Sequence, residues 1–189
     1  VGILPGMPFL PFALMAAGAG SLAWMMMEWV KHGKPSVLGI VTGMVAGLGT
    51  ITPASGFVGP GGALVIGLLA GVICFNATQY IKQVLKIDDS LDVFPVHGVG
   101  GILGTLMAGV FCAPSLGLFS GYGFGGDHTS ISGQLGTQFI GVLATVIYTA
   151  VVTWMILKLV GLGESARVDS EAETKGLDLS EHDERGYNL

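Results

Sequence analysis

Long apolar runs separated by short polar joints dominate the chain. A helix that crosses a membrane needs about 20 mostly apolar residues. Five segments meet this length, and none holds more than one charge, always near an end. The five predicted helices cover residues 8–30, 36–58, 61–85, 93–113 and 135–162. The pattern predicts an all-α, polytopic membrane bundle, with residues 1–163 as its transmembrane domain and 164–189 as a tail.

The joints between the runs are rich in turn-forming or charged residues. Residues 31–35 form a short polar turn, and the Gly-Pro-Gly-Gly sequence at 59–62 forms a tight one. Residues 86–92 are a charged connector, and residues 113–133 are a longer loop rich in Gly and Ser. Pro53 lies late in the second run and predicts a kink there, because proline removes one backbone hydrogen bond.

The positions of lysine and arginine predict the orientation. With five spans, the connectors alternate between the two sides of the membrane. Every Lys and Arg lies in or beside the first connector, the third connector or the C-terminal region, which share one side. Positive residues accumulate on the cytoplasmic side. We therefore expect the N-terminus of this chain outside and the C-terminus in the cytoplasm.

Charge and cysteine content exclude several classes of function. Charged residues make up 11% of the chain, against about 25% in soluble domains. The net charge of -5 comes from the tail, since residues 1–163 carry five lysines and five acids. No basic surface for nucleic acid is expected. Cys74 and Cys112 lie in apolar runs without metal-ligand spacing, so we predict neither a metal nor a cofactor. The N-terminal sequence does not predict a signal peptide.

Glycine recurs at four-residue spacing inside the apolar runs. The chain has 32 glycines in 189 residues, well above the usual ~7%. Small residues at this spacing let helices approach closely in lipid. The glycines therefore predict a tightly packed bundle rather than isolated anchors. The sets that fall on one helix face are Gly39, Gly43 and Gly47, then Gly67 and Gly71, then Gly100 and Gly104.

His97 is the most informative polar residue, because it lies near the start of the fourth apolar run. Ionisable groups within membrane spans are costly and usually face a cavity or a partner. The alternative is an ordinary interfacial histidine, since His97 lies only ~7 to 8 Å along the helix axis from Asp92. The residue pattern alone leaves both interpretations open. His32, His128 and His182 are predicted to be solvated surface residues.

The residues around His97 predict an uncharged imidazole on an apolar path. Asp92 is the expected N-cap of this helix, and Pro95 is tolerated in the first turn. A helix N-terminus and desolvation both disfavour a positive charge. A neutral ring offers one donor and one acceptor to a small polar solute. Val93 lies four residues earlier and shares the face of His97.

Five ordered blocks of sequence carry a resemblance to a known family. They are EWVKHGKPS (28–36), GLGTITPASG (47–56), GGALVIG (61–67), DDSLDVFPVHG (88–98) and GLDLSEHDERGY (176–187). From about residue 17 onwards the sequence resembles the ammonium transporter, methylammonium permease and Rhesus protein family, in its bacterial form. Residues 1–11 do not follow the family pattern.

The resemblance implies a homotrimer of eleven-span subunits in the cell (inner) membrane. Each subunit has one pore, built from two inverted five-helix repeats. This chain would correspond to spans seven to eleven. His97 matches the second of two pore histidines, and Val93 matches an apolar lining position. The first histidine, the outer aromatic gate and the outer recruitment site belong to the preceding spans. The family consists of transporters, so no enzyme is expected.

The implied mechanism starts with recruitment and deprotonation of ammonium, and neutral ammonia then passes the histidine pair. An apolar path rejects bare cations, because their desolvation is costly. Two alternatives stay open, namely a membrane ammonium sensor that signals through its tail and a gas channel of the Rhesus type.

The tail invites two interpretations. Its acidic, polar composition alone predicts disorder. The resemblance implies instead that it packs on the cytoplasmic face and helps to dock a PII-type signal protein. The candidate contacts are Gly176, Leu177, Asp178, His182 and Tyr187.

Overall fold

The computed structural model describes residues 9–163 and 167–184, and these residues form helices joined by turns, without a strand. The chain divides into two compact units, Val1–Val142 and Leu143–Leu189. Two π-helical segments, here called π1 and π2, interrupt the α-helical pattern. In chain order the elements are α1 (Phe9–His32), α2 (Val37–Ile51), α3 (Pro60–Gln79), π1 (Tyr80–Val84), π2 (Phe94–Val99), α4 (Gly100–Phe111), a 3₁₀ turn (Gly117–Phe119), α5 (Ile131–Val160), α6 (Ser170–Lys175) and α7 (Leu177–Glu181).

Within the described ranges, four helices are long and apolar enough to cross a membrane. They are Leu10–His32, Pro60–Val84, Phe94–Phe111 and Ile131–Val160. Helix α2 is apolar but shorter, with 15 residues. The all-α, polytopic membrane fold is confirmed, and the count of five spans stays a prediction.

Helix α2 has Ser36 as its N-cap and ends before Pro53, where a kink was predicted. The Ser36 hydroxyl accepts the Gly39 N–H at 2.8 Å, as expected of a serine N-cap. The helix ends at Ile51, and turns follow through Phe57. Proline has no N–H with which to continue the ladder. The sequence-based prediction of a kinked helix at Pro53 was therefore wrong, because the helix stops there.

The three helices of the first unit's core meet through small residues, as the glycine spacing predicted. Ala16 and Gly20 of α1 present backbone carbonyls to both neighbouring helices. An added Cβ would collide with the Gly20 carbonyl from Gly43 and Gly71, and with the Ala16 carbonyl from Gly47 and Gly67. Contacts of this kind bring helix backbones together where no side chain intervenes. The prediction of a tightly packed bundle is confirmed for these positions.

Helix α4 crosses α2 at an equally close point. A Cβ at Gly104 would collide with the Thr50 carbonyl oxygen, and one at Gly100 would lie 2.7 Å from the Thr50 hydroxyl. The Sγ of Cys74 lies 3.4 Å from the same Gly100 position. Cys74 and Cys112 are both buried and free. These contacts fix α4, and with it π2, against α2 and α3.

The loop after α4 folds back over the end of α2. The Gly121 N–H donates to the Ala113 carbonyl at 2.9 Å, and the Tyr122 N–H donates to the Phe57 carbonyl at 2.9 Å. The Tyr122 ring also stacks on Phe12 at 6.5 Å between centroids. Backbone hydrogen bonds thus give this glycine-rich loop a defined path.

The second unit contains the later part of α5 and the tail helices. The large apolar side chains along residues 143–160 are exposed. The Asp169 carboxylate accepts the Ala172 N–H at 2.8 Å and caps α6. Arg167 and Glu173 pair at 2.7 Å. The composition-based prediction of a disordered tail was wrong for Ser170–Lys175 and Leu177–Glu181, which form two short helices.

Candidate pore wall around His97

His97 lies inside π2, where the helix is wound more loosely than an α-helix. π-helical turns are rare in proteins as a whole, but many of those known lie at functional sites. The segment continues directly into α4 at Gly100. The close crossing between α4 and α2 therefore fixes the C-terminal end of π2, the segment that carries His97.

The side chain that caps this helix is Asp89, not Asp92. Its two carboxylate oxygens accept the N–H groups of Val93 at 2.9 Å and Phe94 at 2.8 Å. Asp92 has a left-handed backbone with φ of 56°, whereas an N-cap residue normally has an extended one. Only the backbone carbonyl of Asp92 joins the helix, by accepting the Val96 N–H at 3.0 Å. Asp92 thus holds the predicted N-cap position through its backbone, whereas the capping side chain is that of Asp89.

The Asp92 carboxylate instead pairs with Lys82. The Lys82 Nζ lies 2.7 Å from Asp92 Oδ1, and the Asp92 side chain is only 18% exposed. Lys82 belongs to π1, and Asp92 lies two residues before π2. The ion pair therefore links the two ends of the connector between π1 and π2.

The segment π2 has two different faces. Pro95 and Val96 are buried, and Val96 belongs to an apolar cluster with Trp24, Ala46, Cys74 and Phe75. On the other side the side chains of Val93, Phe94 and His97 are exposed in this chain. The histidine therefore lies on a face that is otherwise apolar and open.

On α2, Gly49 lies beside the imidazole and presents only its backbone. A Cβ at Gly49 would lie 3.7 Å from His97 Nδ1, an ordinary van der Waals distance. Within residues 9–163 and 167–184, no side chain is hydrogen-bonded to this ring. In a neutral imidazole, one nitrogen is a donor and the other an acceptor.

The other histidines have different surroundings. His32 and His182 are exposed, as predicted. His128 is half-buried, and its Nε2 lies 2.8 Å from the Thr137 hydroxyl. It is held more firmly than the predicted solvated residue, because it bonds the helix that follows its loop.

Four of the five tail candidates surround the junction of α6 and α7. Gly176 joins the two helices with φ of 96°, a conformation that favours glycine. Leu177 and Asp178 begin α7, and His182 directly follows its last residue. Tyr187 lies outside the described residues. The four described candidates thus share one short segment of chain, and their role in docking stays a prediction.

Sequence reasoning missed Asp89, Lys82 and Gly49. Asp89 and Lys82 lie near the ends of apolar runs and Gly49 lies inside one, and in each case the sequence offers neighbouring residues of the same type. The signal for Asp89 was its spacing of four residues before Val93, since a carboxylate there can reach the first free N–H groups of a helix. Among the described residues, no cluster suited to a metal ion is found.

An apolar helical bundle of this composition is a multi-pass membrane protein. Its sequence matches the model of the Ammonium Transporter Family over residues 10–187. The chain therefore belongs to that family. A family of transporters agrees with the prediction that the chain is not an enzyme.

Relatives and solved structures agree with this membership. A putative ammonium transporter of Methanothermobacter thermautotrophicus is 44% identical over 174 residues, covering 92% of this chain and 42% of the relative. The ammonium transporter Amt1 of Archaeoglobus fulgidus is 42% identical over 173 residues, covering 91% and 42%. A structure of Mep2 from Saccharomyces cerevisiae has a TM-score of 0.74 at 32% identity, covering 86% of this chain and 37% of that one.

A further structure, described as a sensor Amt protein, has a TM-score of 0.82 at 29% identity, covering 96% of this chain and 43% of that one. This chain thus spans less than half the length of the relatives that it matches.

Proposed function

We propose that this chain forms part of a pore that carries ammonium nitrogen across the cell membrane. The observation that carries the proposal is the exposed His97 on the apolar face of π2, with Val93 beside it. An ionisable side chain within a membrane helix is costly unless it faces a cavity or a partner. A pore completed by further helices supplies that cavity.

Ammonia is the species that crosses the apolar part of the path. A bare cation there loses its hydration at large cost, whereas a small neutral amine loses far less. Ammonium is therefore deprotonated before the apolar stretch, and the imidazole of His97 hydrogen-bonds the ammonia in passing. The twin-histidine arrangement completes this site, with His97 as the second histidine and the first supplied by the preceding spans.

The assembly that fits this proposal is a homotrimer in the cell (inner) membrane. The lysine distribution favours an N-terminus of this chain outside and a C-terminus in the cytoplasm. On that orientation five spans cross the bilayer, with α2 as the shortest. Its 15 residues, about 22 Å of helix, are extended by the turns that end at Phe57.

The test of the pore role is the substitution His97→Ala in the complete transporter that contains this chain. Labelled methylammonium uptake is expected to fall by roughly tenfold or more, or to lose its selectivity against potassium, because the hydrogen-bonding wall is gone. His128→Ala is the matched control, since the same change is made at the half-buried loop histidine. Wild-type uptake and selectivity in His97→Ala would remove the residue from the mechanism.

The tail provides a regulatory contact in the same proposal. The segment around Gly176, Leu177 and Asp178, followed by His182 and Tyr187, docks a PII-type signal protein at the cytoplasmic mouth. Deletion of the residues after Arg167 is expected to abolish PII binding in a pull-down while methylammonium uptake persists. Retained binding would refute the tail assignment.

A sensor is the second candidate function, and one observation favours it. The structural neighbour with a TM-score of 0.82 is described as a sensor Amt protein. A sensor binds ammonium and passes little of it, so the wild-type uptake measurement separates the two functions. Saturable binding with negligible uptake would favour the sensor.

A further inference from the structure

Two carboxylates lie at the start of π2, and their partners differ: backbone N–H groups for Asp89 and a lysine for Asp92. Asp89 accepts two backbone N–H groups at 2.8 and 2.9 Å. Asp92 lies 2.7 Å from the ammonium group of Lys82. Its Oδ1 is shielded from solvent. Among the residues that the structure describes, the Lys82 ammonium is therefore the group that compensates this buried oxygen.

The position of the pair matters because Asp92 directly precedes the exposed face of Val93 and His97. Asp92 lies five residues before His97, a rise of roughly 7 Å along the helix axis. An unpaired carboxylate at this end of the apolar face would attract cations. Because Lys82 pairs with Asp92, the pair itself contributes no net charge at this point.

We propose that Lys82 is a specificity-determining residue of the pore, which acts through Asp92 by cancelling its charge beside His97. The inference rests on the proposed transport function. It assigns the exclusion of metal cations partly to an ion pair between π1 and π2, in addition to the apolar surface itself. Lys82 is a positioning residue in this role, since it acts through the carboxylate and not on the solute.

A purely mechanical tether makes a different prediction. If the pair only held π1 against π2, removal of either partner would have the same effect on transport. A charge effect gives the two removals opposite signs. Lys82→Met leaves a bare carboxylate, which attracts cations, whereas Asp92→Asn leaves a bare ammonium, which repels them.

The experiment measures rubidium uptake and methylammonium uptake side by side in the complete transporter reconstituted in vesicles. Lys82→Met is expected to raise the rubidium-to-methylammonium ratio on the order of tenfold, the scale of a unit charge about 8 Å away at an effective dielectric constant near 20. Asp92→Asn is expected to leave that ratio at or below the wild-type value and to raise the KM for methylammonium. The double variant Lys82→Met/Asp92→Asn carries neither charge and is expected to return to the wild-type ratio.

The outcomes separate the possibilities. Equal loss of transport in both single variants, with unchanged ratios and no recovery in the double variant, would show a tether and overturn the proposal. If Lys82→Met does not assemble, the direction of the Asp92→Asn change decides, and a raised rubidium ratio there would contradict the charge effect. A wild-type protein that carries no methylammonium refutes the proposed function itself, whereas an active wild type with an unaltered Lys82→Met ratio refutes only this inference.

Discussion

The interface around α1 and the segment π2 differ in how side chains are used. At α1, Ala16 and Gly20 place bare backbone against α2 and α3, and any added atom would collide. At π2 the buried side holds Pro95 and Val96, while the other side presents exposed side chains. Around α1 the helices come close because side chains are small or absent. In the candidate pore wall on π2, the exposed side chains are the important feature.

We therefore expect the helix crossings around α1 to determine stability and the exposed side of π2 to determine function. Small residues at helix crossings tolerate no enlargement, since backbone cannot move aside as a flexible side chain does. The exposed residues of π2 contact little within this chain, so their replacement should alter transport more than folding. The following three substitutions test how sharp this division is, in order of expected effect.

The largest effect is expected from Gly104→Ala. The new methyl group would collide with the Thr50 carbonyl oxygen where α4 crosses α2. Overpacking against backbone should destabilise the protein by about 3 kcal/mol. The measurement is thermal unfolding in detergent. Gly101→Ala is the matched control, because nothing lies within 4 Å of its Cβ position. Equal melting temperatures for the two variants would show that the crossing is not rigid.

A smaller effect is expected from Asp89→Ala, which removes the cap of the helix that carries His97. Loss of an N-cap side chain costs about 1 kcal/mol, and here two N–H groups lose their acceptor. Chemical denaturation measures this change. Asp88→Ala is the control, since within the described residues its carboxylate accepts only the Ser90 hydroxyl, at 3.2 Å. The capping role would be contradicted if Asp88→Ala lowered stability as much as Asp89→Ala.

The smallest effect is expected from Lys31→Met at the end of α1. The ammonium group donates to the Asn76 side-chain oxygen at 3.0 Å and lies 5.3 Å from the centre of the Phe75 ring. A partly exposed cation–π contact of this kind contributes about 0.5 to 1 kcal/mol. A small fall in melting temperature is expected, with methylammonium uptake unchanged. Lys34→Met is the comparison at a nearby exposed lysine, and a larger fall there would refute the assignment.

The apolar runs and the glycine spacing could be predicted from the sequence because each depends on local pattern. The lengths of α1, α3 and α5 follow from the distance a helix must cover in a bilayer. Gly43 and Gly47 fall on one side of a helix whatever its neighbours are. These features need no knowledge of tertiary structure.

The details of the candidate pore wall depend on contacts that no local pattern contains. The choice between Asp89 and Asp92 as the cap follows from the left-handed backbone of Asp92 and from the ion pair with Lys82. The early end of α2 follows from Pro53 together with the turns after it. Which side of π2 stays exposed is decided by the cluster that buries Val96.

The π-helical winding of Phe94–Val99 makes the register of the flanking residues tolerant of a change in chain length. A π turn corresponds to one extra residue relative to an α-helix. Deletion of a single residue within it would restore α-helical winding and leave the residues on either side on their present helix faces. The same deletion inside the regular helix α4 would instead rotate the residues that precede it by about 100°.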